Sequence, residues 1–330
     1  MMKDFKPGQD FVLERNPGYY EQGADGKALP YLDQVRDVVF GDKAAEQAAL
    51  RTGQLDITNS FAFSKDEAGA MLRAQPKLHY FRQLQPVVFG VWFNHKRAPA
   101  NNEKLRKAVV LAVDPDAVVD SLGGEGGAVR SGFVPSFFSD YAWSEDEHRR
   151  RYRQDIEQAK RLLAEAGYGP GQPKLVFKTI NSYQQQAEIV LENLKAIGID
   201  ARLEVAPSSI TAVIREGDFD LAWGGRVSQL YVSYWVGELI RTGSTLNDTG
   251  FSDPVVDRLV DAQGREMNVR ARKESIDQLQ ARLYETSASL PVVSYYYHLP
   301  VSCRLQNWKP MNPTYNISTV VMGWLDSAGC

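Results

Sequence analysis

Hydrophobic and polar positions follow two periods along this chain, and each period predicts a different kind of element. Apolar residues recur every three or four positions over 155–166 and 182–197, which predicts amphipathic helices. Shorter runs at 174–180, 199–205 and 219–223 are rich in β-branched and aromatic residues and predict strands. Because strands and helices alternate here, the middle of the chain predicts βαβ units around a largely parallel sheet.

The flanking regions carry the same patterns with clear boundary signals. Ser64 followed by Glu67 is a capping box that predicts a helix start, and Asp114-Pro115 is an N-cap with a first-turn proline. Further strands are predicted at 11–15, 35–40, 78–83, 87–94 and 290–297, and further helices at 42–51, 64–74, 101–113, 254–263 and 269–287. A length of 330 residues predicts about two domains. No low-complexity linker separates them, so we expect the domains to be joined by strands.

Composition and charge exclude several classes of protein. Charged residues make up 24% of the chain, the net charge is −3, and the two signs are mixed along the sequence. The densest basic run, His148–Arg153, follows acidic residues and predicts a solvated helix face, so no nucleic-acid partner is expected. No apolar run reaches the roughly 18–20 residues that a membrane span needs. The N-terminus also lacks the basic-then-apolar pattern of a secretion signal.

Motifs for catalysis, metals or cofactors are few. None of the four histidines lies in an H-E-x-x-H pair, no G-x-S-x-G motif occurs, and the glycines at 123–127 do not match a dinucleotide motif. Cys303 and Cys330 are too few for a zinc site or a disulfide framework. Asp218 and Asp220 could do acid–base work, but they begin a predicted strand, at the end of an α/β sheet away from ligands. The sequence therefore predicts no enzyme, no metal and no cofactor, with a carboxylate-dependent hydrolase as the least favoured alternative.

Candidate ligand-binding residues follow the carboxyl ends of two predicted strands, where open α/β sheets bind their ligands. Asn181, Ser182 and Tyr183 lie between strand 174–180 and the next predicted helix. Backbone donors at a helix start, together with amide and hydroxyl side chains, suit an anionic or hydroxylated ligand. The alternative is that Ser182 is simply a helix N-cap.

The second candidate stretch follows predicted strand 219–223 and combines glycines, a guanidinium and aromatic rings. Its members are Trp223, Gly224, Gly225, Arg226, Tyr231, Tyr234 and Trp235. The glycines would let the backbone approach a ligand, and Arg226 offers a planar fork for a carboxylate or phosphate. The rings resemble those of sites that hold sugars or peptide side chains. The alternative is that Trp223 and Trp235 are core residues and Arg226 a surface residue.

Six segments in order along the chain carry a resemblance to a known family. They are Phe5–Gly8 with Leu13–Tyr20 (LERNPGYY), Pro30–Asp33 (PYLD), Ala49–Asp56 (ALRTGQLD), Phe93-Asn94 ahead of Leu105–Val109, Ala159–Tyr168 (AKRLLAEAGY) and Gly217–Leu221 (GDFDL). Together they resemble the extracytoplasmic solute-binding proteins of ABC transporters, family 5, the peptide, nickel and oligosaccharide class. The resemblance implies an α/β fold, a two-lobed periplasmic-binding-protein-like clamshell of type II. Residues 1–93 would form part of lobe I, 94–288 lobe II, and 289–330 the return to lobe I.

The resemblance also implies a function. Such a protein captures a small solute, an oligopeptide, opine or oligosaccharide-like molecule, between its lobes and delivers it to the permease transmembrane subunits of an ABC importer. Ligand binding would shift an open–closed equilibrium of the lobes. The expected protein is a monomer that is either periplasmic or extracellular and membrane-associated. The remaining alternative is a truncated relative that serves as an interaction scaffold.

Two departures from the family pattern change these expectations. The match begins inside the pattern, so we expect an N-terminally truncated chain, with lobe I incomplete and apolar surface exposed on residues 1–93. Peptide-binding members resemble one another in an aspartate after the strand that corresponds to 219–223. Here the sequence Gly224–Gln229 contains no acid, which favours a sugar-like, opine-like or anionic ligand.

Overall fold

The protein packs as two compact units. The computed structural model describes residues 1–58, 63–124, 126–207, 209–227, 231–310 and 322–326. Met1–Gln85 with Tyr296–Cys330 form the first unit, and Pro86–Tyr295 form the second unit. The lobe boundaries expected at 93/94 and 288/289 stay a prediction. Ser228, Gln229 and Cys330 lie outside the described residues.

The described elements comprise strands, helices and one 3₁₀ turn. The strands are β1 (Met2–Lys6), β2 (Asp10–Glu14), β3 (Gln34–Val38), β4 (His79–Leu84), β5 (Val87–Phe93), β6 (Ala128–Arg130), β7 (Lys174–Ile180), β8 (Asp200–Ala206), β9 (Leu221–Val227), β10 (Ser289–Val301), β11 (Leu305–Gln306) and β12 (Trp324–Leu325). The helices are α1 (Lys43–Arg51), α2 (Lys65–Ala74), α3 (Glu103–Ala112), α4 (Pro115–Ser121), α5 (Glu145–Arg151), α6 (Ile156–Glu165), α7 (Gln184–Ala196), α8 (Ile210–Glu216), α9 (Val232–Ile240), α10 (Pro254–Arg265) and α11 (Val269–Glu285). The 3₁₀ turn is Asn181–Tyr183.

The described part of the first unit contains a three-stranded antiparallel sheet, two further antiparallel pairings, one of them β11 with β12, and two capped helices. Strands β1, β2 and β3 form a three-stranded sheet, and β4 pairs with the Tyr296–Val301 half of β10. The predicted capping box is confirmed, because the Ser64 side chain accepts from the Glu67 N–H while Glu67 accepts from the Ser64 N–H. The predicted exposure of apolar side chains on residues 1–93 is observed at Met2 and Phe5, each 61% exposed.

The second unit is built on a mixed sheet. Its strands run in the order β10, β5, β9, β7, β8, and β6 adds to β10. Among the described strands of this sheet only the β7–β8 and β7–β9 pairings are parallel, whereas β5 runs antiparallel to both β9 and β10. The parallel pairing predicted for the βαβ segment in the middle of the chain is confirmed, and the strands that join it from elsewhere, β5 and β10, pair antiparallel. β5 pairs with β9, and β10 pairs with β5, from distant parts of the chain that no local periodicity connects.

Helices cover both faces of this sheet. Residues of α3, α4, α6 and α7 pack in one core with Leu221 and Trp223, and residues of α8, α9, α10 and α11 pack in a second core with Ala222. Successive residues of β9 thus enter opposite cores, as the pleat requires. A strand buried on both sides has no alternation of polarity for a sequence pattern to detect.

Two element boundaries differ from prediction near the candidate stretch. Strand β9 continues to Val227, so Gly224, Gly225 and Arg226 lie within the strand and not after it. The aromatic segment from Tyr231 belongs to a helix that was not predicted, because α9 begins at Val232 with Tyr231 as its N-cap residue. In hindsight Val232, Trp235 and Val236 recur at helical spacing and are all buried.

Candidate functional site

The carboxyl ends of β7 and β9 meet at one edge of the second unit's sheet. The two strands are parallel neighbours, with Phe177 opposite Leu221, and the Thr179 hydroxyl donates to the Trp223 carbonyl at 3.0 Å. The carboxyl ends of the two strands therefore point to the same edge of the sheet. We call Asn181–Tyr183 together with Tyr231 and Tyr234 the carboxyl edge.

The first part of the carboxyl edge is the 3₁₀ turn between β7 and α7. Asn181 and Ser182 are exposed and Tyr183 is half-buried. The Ser182 N-cap alternative is wrong, because the N-cap of α7 is Tyr183 and no side chain caps it. The Tyr183 ring meets Phe89 edge-on, with the ring centroids 4.9 Å apart. Burial raises the pKa of Tyr183, so its hydroxyl stays neutral and can both donate and accept.

The second part of the carboxyl edge is the start of α9. Tyr231 is 72% exposed and Tyr234 is 43% exposed, and residues three apart on a helix share a face. The first turn of α9 is hydrogen-bonded to helices α10 and α11. The Ser233 hydroxyl donates to Gln263 Oε1 at 2.9 Å and also receives a hydrogen bond from Arg272. The two exposed rings therefore stand on a fixed turn.

Trp223 and Trp235 are core residues, as the alternative interpretation had it. Each is 1% exposed. The Trp235 indole donates to the Phe133 carbonyl at 2.7 Å, whereas Trp223 Nε1 is buried without a hydrogen-bond partner. Neither ring face is available to a solute in this conformation.

Gly224 and Gly225 leave space that is occupied by side chains of the protein itself. A Cβ atom on Gly225 would lie 2.6 Å from the Phe89 ring, and a Cβ atom on Gly224 would clash with Ile210. Trp92 Nε1 also donates to the Gly224 carbonyl at 2.8 Å. The space beside the glycines, where the sequence analysis expected a ligand, is therefore occupied by Phe89 and Ile210 of the second unit.

Arg226 is buried, so its interpretation as a surface residue is wrong. It is 7% exposed, its Nη2 donates to the Leu246 carbonyl at 2.9 Å, and its Nη1 lies 3.8 Å from Asp248 Oδ2. Its guanidinium carbon stands 5.9 Å from the Trp92 ring centroid. Burial lowers the pKa of Arg226, although Asp248 opposes that effect, and an arginine so paired remains charged at neutral pH.

A small cavity of about 10 Å³ lies beside this guanidinium, lined by Trp92, Phe133 and Phe251 among others. That volume corresponds to about one water molecule. Arg226 Nη1 and Asp248 Oδ2 both lack hydrogen-bond partners. The guanidinium of Arg226 therefore contacts the protein's own 246–248 segment. The cavity beside it could hold one water molecule but is too small for a solute.

Sequence reasoning missed an aromatic cluster behind the carboxyl edge. Phe89 of β5 packs against Tyr183 and also against Tyr295, the latter with ring centroids 4.7 Å apart. Phe89 lies opposite Gly225 in the antiparallel pairing. No local signal could have found this cluster, because its members come from three strands or turns far apart in sequence.

The acidic pair considered for catalysis lies at the other end of β9. Asp218 binds Arg97 at 2.9 Å and Lys178 at 3.3 Å, and Asp220 is 2% exposed. Both carboxylates are engaged by protein groups. Throughout the described ranges, no group of three or more His, Cys, Asp or Glu side chains is arranged to hold a metal ion. In the same part of the chain, no helix combines the length and apolarity of a membrane span.

The same architecture occurs in solved periplasmic binding proteins. A. tumefaciens R10 AgaA, solved with agropinic acid, matches with a TM-score of 0.82 at 20% identity, over 98% of this chain and 66% of that one. Bacillus subtilis AppA, an oligopeptide-binding protein solved with a nonapeptide, matches with a TM-score of 0.79 at 20% identity, over 99% of this chain and 66% of that one. The expected fold class, an α/β periplasmic-binding-protein-like fold, is confirmed.

Sequence comparison gives the family. Residues 1–245 match the model of the bacterial extracellular solute-binding proteins, family 5. The periplasmic oligopeptide-binding protein OppA of Salmonella typhimurium is 25% identical over 309 residues, which are 90% of this chain and 54% of OppA. The chain belongs to the bacterial extracellular solute-binding proteins, family 5. It spans about half the length of the curated relatives that it matches, 54% in the case of OppA.

Proposed function

We propose that this chain is the solute-binding part of an ABC importer, and that it captures a small solute at the carboxyl edge and delivers it to the permease transmembrane subunits. It acts outside the cytoplasm, as a monomer, and returns the solute chemically unchanged. The observation that carries the proposal is the carboxyl edge itself, where amide, hydroxyl and ring groups stand exposed at the ligand end of a parallel strand pair.

The ten candidate residues divide into two roles in this proposal. Asn181, Ser182, Tyr183, Tyr231 and Tyr234 contact the solute. The other five, Trp223, Gly224, Gly225, Arg226 and Trp235, form the packed support beneath them. This division follows from burial, since the supporting residues that carry side chains are at most 7% exposed. A rigid support reduces the entropy lost when a solute orders the contact residues.

A thermal-shift screen on the whole chain tests the proposal, with short peptides, opines and oligosaccharides as probes. A ligand at 100 times its Kd should stabilise the protein by about 2.7 kcal/mol. Equilibrium dialysis followed by mass spectrometry should recover the bound probe unchanged. Recovery of a hydrolysed probe would mean that the protein is an enzyme.

The double variant Tyr231→Ser/Tyr234→Ser tests the location of the site. Loss of two stacking rings should weaken binding by about 10-fold or more. Tyr20→Ser is the matched control, because Tyr20 is 83% exposed in the first unit and should leave affinity unchanged. Equal affinities for the wild type and the double variant would rule out the carboxyl edge as the contact surface.

A further inference from the structure

One buried side chain in the described part of the chain has two polar atoms without a hydrogen-bond partner. Gln85 is 0% exposed, and its Nε2 and its Oε1 each lack a partner. At the other buried side chains with an unpaired atom, Arg226 and Trp223 among them, a single atom is concerned. A buried amide with neither group paired costs free energy and is rare in folded proteins, so it points to a partner that the protein binds.

The other buried glutamines in the described ranges, Gln186, Gln263 and Gln280, are each hydrogen-bonded. The closest match to Gln85 is Gln280, which is 1% exposed. Its Nε2 donates to the Tyr141 carbonyl at 3.3 Å, and its Oε1 accepts from the Val134 N–H at 3.2 Å. The fold thus pairs buried amides elsewhere, and the unpaired state of Gln85 is specific to its position.

The pairing of β5 with β9 places Gln85 at the end of the sheet where the carboxyl edge lies. Val87, two residues later, is opposite Val227, the last residue of β9. Because β5 runs antiparallel to β9, β5 begins where β9 ends. Phe89, on the same face of β5 as Val87, packs against Tyr183 of the carboxyl edge. Gln85 therefore precedes β5 at the end of the sheet where the solute is proposed to bind.

We propose that Gln85 contacts the solute and determines which solutes are accepted, through an amide that donates from Nε2 and accepts at Oε1. The proposal rests on the proposed function and adds a residue to its site. A solute group with both a donor and an acceptor satisfies the two atoms, whereas a carboxylate offers acceptors alone and an ammonium offers donors alone. Such discrimination is strong, because a mismatched solute leaves a buried polar group unpaired.

The burial of Gln85 sets the sign of its effect on the free protein. No part of its side chain is exposed in this conformation, so the segments that cover it must move before a solute reaches the amide. Until then the free protein bears the cost of the unpaired amide, and a solute enclosed beside Gln85 removes that cost. The amide therefore weakens the free protein and strengthens the complex.

Gln85→Met in the whole chain tests this pair of effects. Methionine has nearly the same shape and no amide, so the free variant should melt about 2 °C or more above the wild type. Trialanine, octopine and maltotriose serve as probes in isothermal titration. Whichever of them binds the wild type should bind Gln85→Met about 10-fold or more weakly.

Gln280→Met is the matched control, because it removes a buried amide that is already paired. It leaves the Val134 N–H and the Tyr141 carbonyl without partners, so it should melt about 2 °C or more below the wild type. Its affinity for the same probe should equal that of the wild type. Opposite shifts in melting temperature, with a loss of affinity in Gln85→Met alone, are the expected result.

The failures of the two proposals differ. If a probe binds the wild type and Gln85→Met equally well, Gln85 does not contact the solute, while the proposed function stands. If free Gln85→Met melts below the wild type, the amide is already paired, for example by a bound water, and the inference is overturned whatever the affinity. If no probe binds the wild type, the proposed function fails, and the role of Gln85 fails with it.

Discussion

Asp220 and Val176 are joined by two hydrogen bonds, one through the backbone and one through a side chain. The Asp220 N–H donates to the Val176 carbonyl at 2.9 Å, and the Val176 N–H donates to Asp220 Oδ2 at 2.7 Å. Arg97 Nε lies 3.3 Å from the other carboxylate oxygen. A buried aspartate thus extends the β7–β9 pairing at the end opposite the carboxyl edge, which is a structural task and not a catalytic one.

Replacing this aspartate should destabilise the protein strongly. Asp220→Ala leaves the Val176 N–H and the Arg97 guanidinium without their partner, and we expect a loss of about 2–4 kcal/mol in the free energy of unfolding. Asp218→Ala is the matched control, because Asp218 also binds Arg97 but its side chain is 73% exposed, so the loss should stay below about 1 kcal/mol. Urea denaturation measures both. Equal losses would contradict the role assigned to Asp220.

The two buried tryptophans should differ when each is replaced by phenylalanine. Both are 1% exposed, but only Trp235 has a hydrogen-bonded indole. Trp235→Phe leaves the Phe133 carbonyl without a hydrogen-bond donor, whereas Trp223→Phe leaves no acceptor unpaired. The loss of unfolding free energy should therefore be about 1–3 kcal/mol larger for Trp235→Phe. Thermal unfolding of the two variants gives the comparison. A larger loss for Trp223→Phe would show that its indole has an unseen partner.

Alanine at the strand glycines should be destabilising because of steric overlap. Gly225→Ala would put a methyl group 2.6 Å from the Phe89 ring, and we expect a loss of about 1–3 kcal/mol in unfolding free energy. Gly264→Ala in α10 meets no atom within 4 Å and should stabilise the protein by up to about 1 kcal/mol. Chemical denaturation distinguishes the opposite signs. A neutral Gly225→Ala would mean that the Phe89 ring moves aside freely.

Stability should fall in acid because of a buried histidine. His148 is fully buried, stacks on Tyr152 with ring centroids 4.5 Å apart, and donates from Nε2 to the Pro291 carbonyl at 3.2 Å. Burial lowers the pKa of His148 from 6.5 to about 3. Between these values the unfolded chain binds a proton that the folded chain does not. The free energy of unfolding should therefore drop by up to about 1.4 kcal/mol per pH unit as the pH falls below 6.5.

His148→Phe isolates this contribution. The variant keeps a ring against Tyr152 but cannot titrate, so its stability should fall less steeply than that of the wild type between pH 6.5 and 4.5. At pH 7.5 it should be less stable by about 1 kcal/mol, because the hydrogen bond to Pro291 is lost. His79→Gln, at an exposed position on β4, serves as the control for removing a histidine. Parallel pH profiles for the wild type and His148→Phe would contradict the prediction.

Local signals predicted the elements where the pattern is periodic and capped. Strand β7 lies at 174–180 as predicted, and the Ser64 capping box opens α2. Helix α9 was not predicted, because its aromatic rings suggested a binding surface more strongly than its helical spacing suggested a helix. An aromatic residue has the same local signature whether it packs in a core, as Trp235 does, or stands in solvent, as Tyr231 does.

What the sequence determined by itself is the order of helices and strands, the family, and the edge at which parallel strands end. These depend on spacing, capping and motif order, which are properties of neighbouring residues. Only the tertiary structure decided which candidates remain exposed. Gly225 faces Phe89, and Arg226 turns towards Asp248, because β5 and the 246–248 segment pack against β9 from far along the chain. Burial is set by such long-range packing, and no local pattern encodes it.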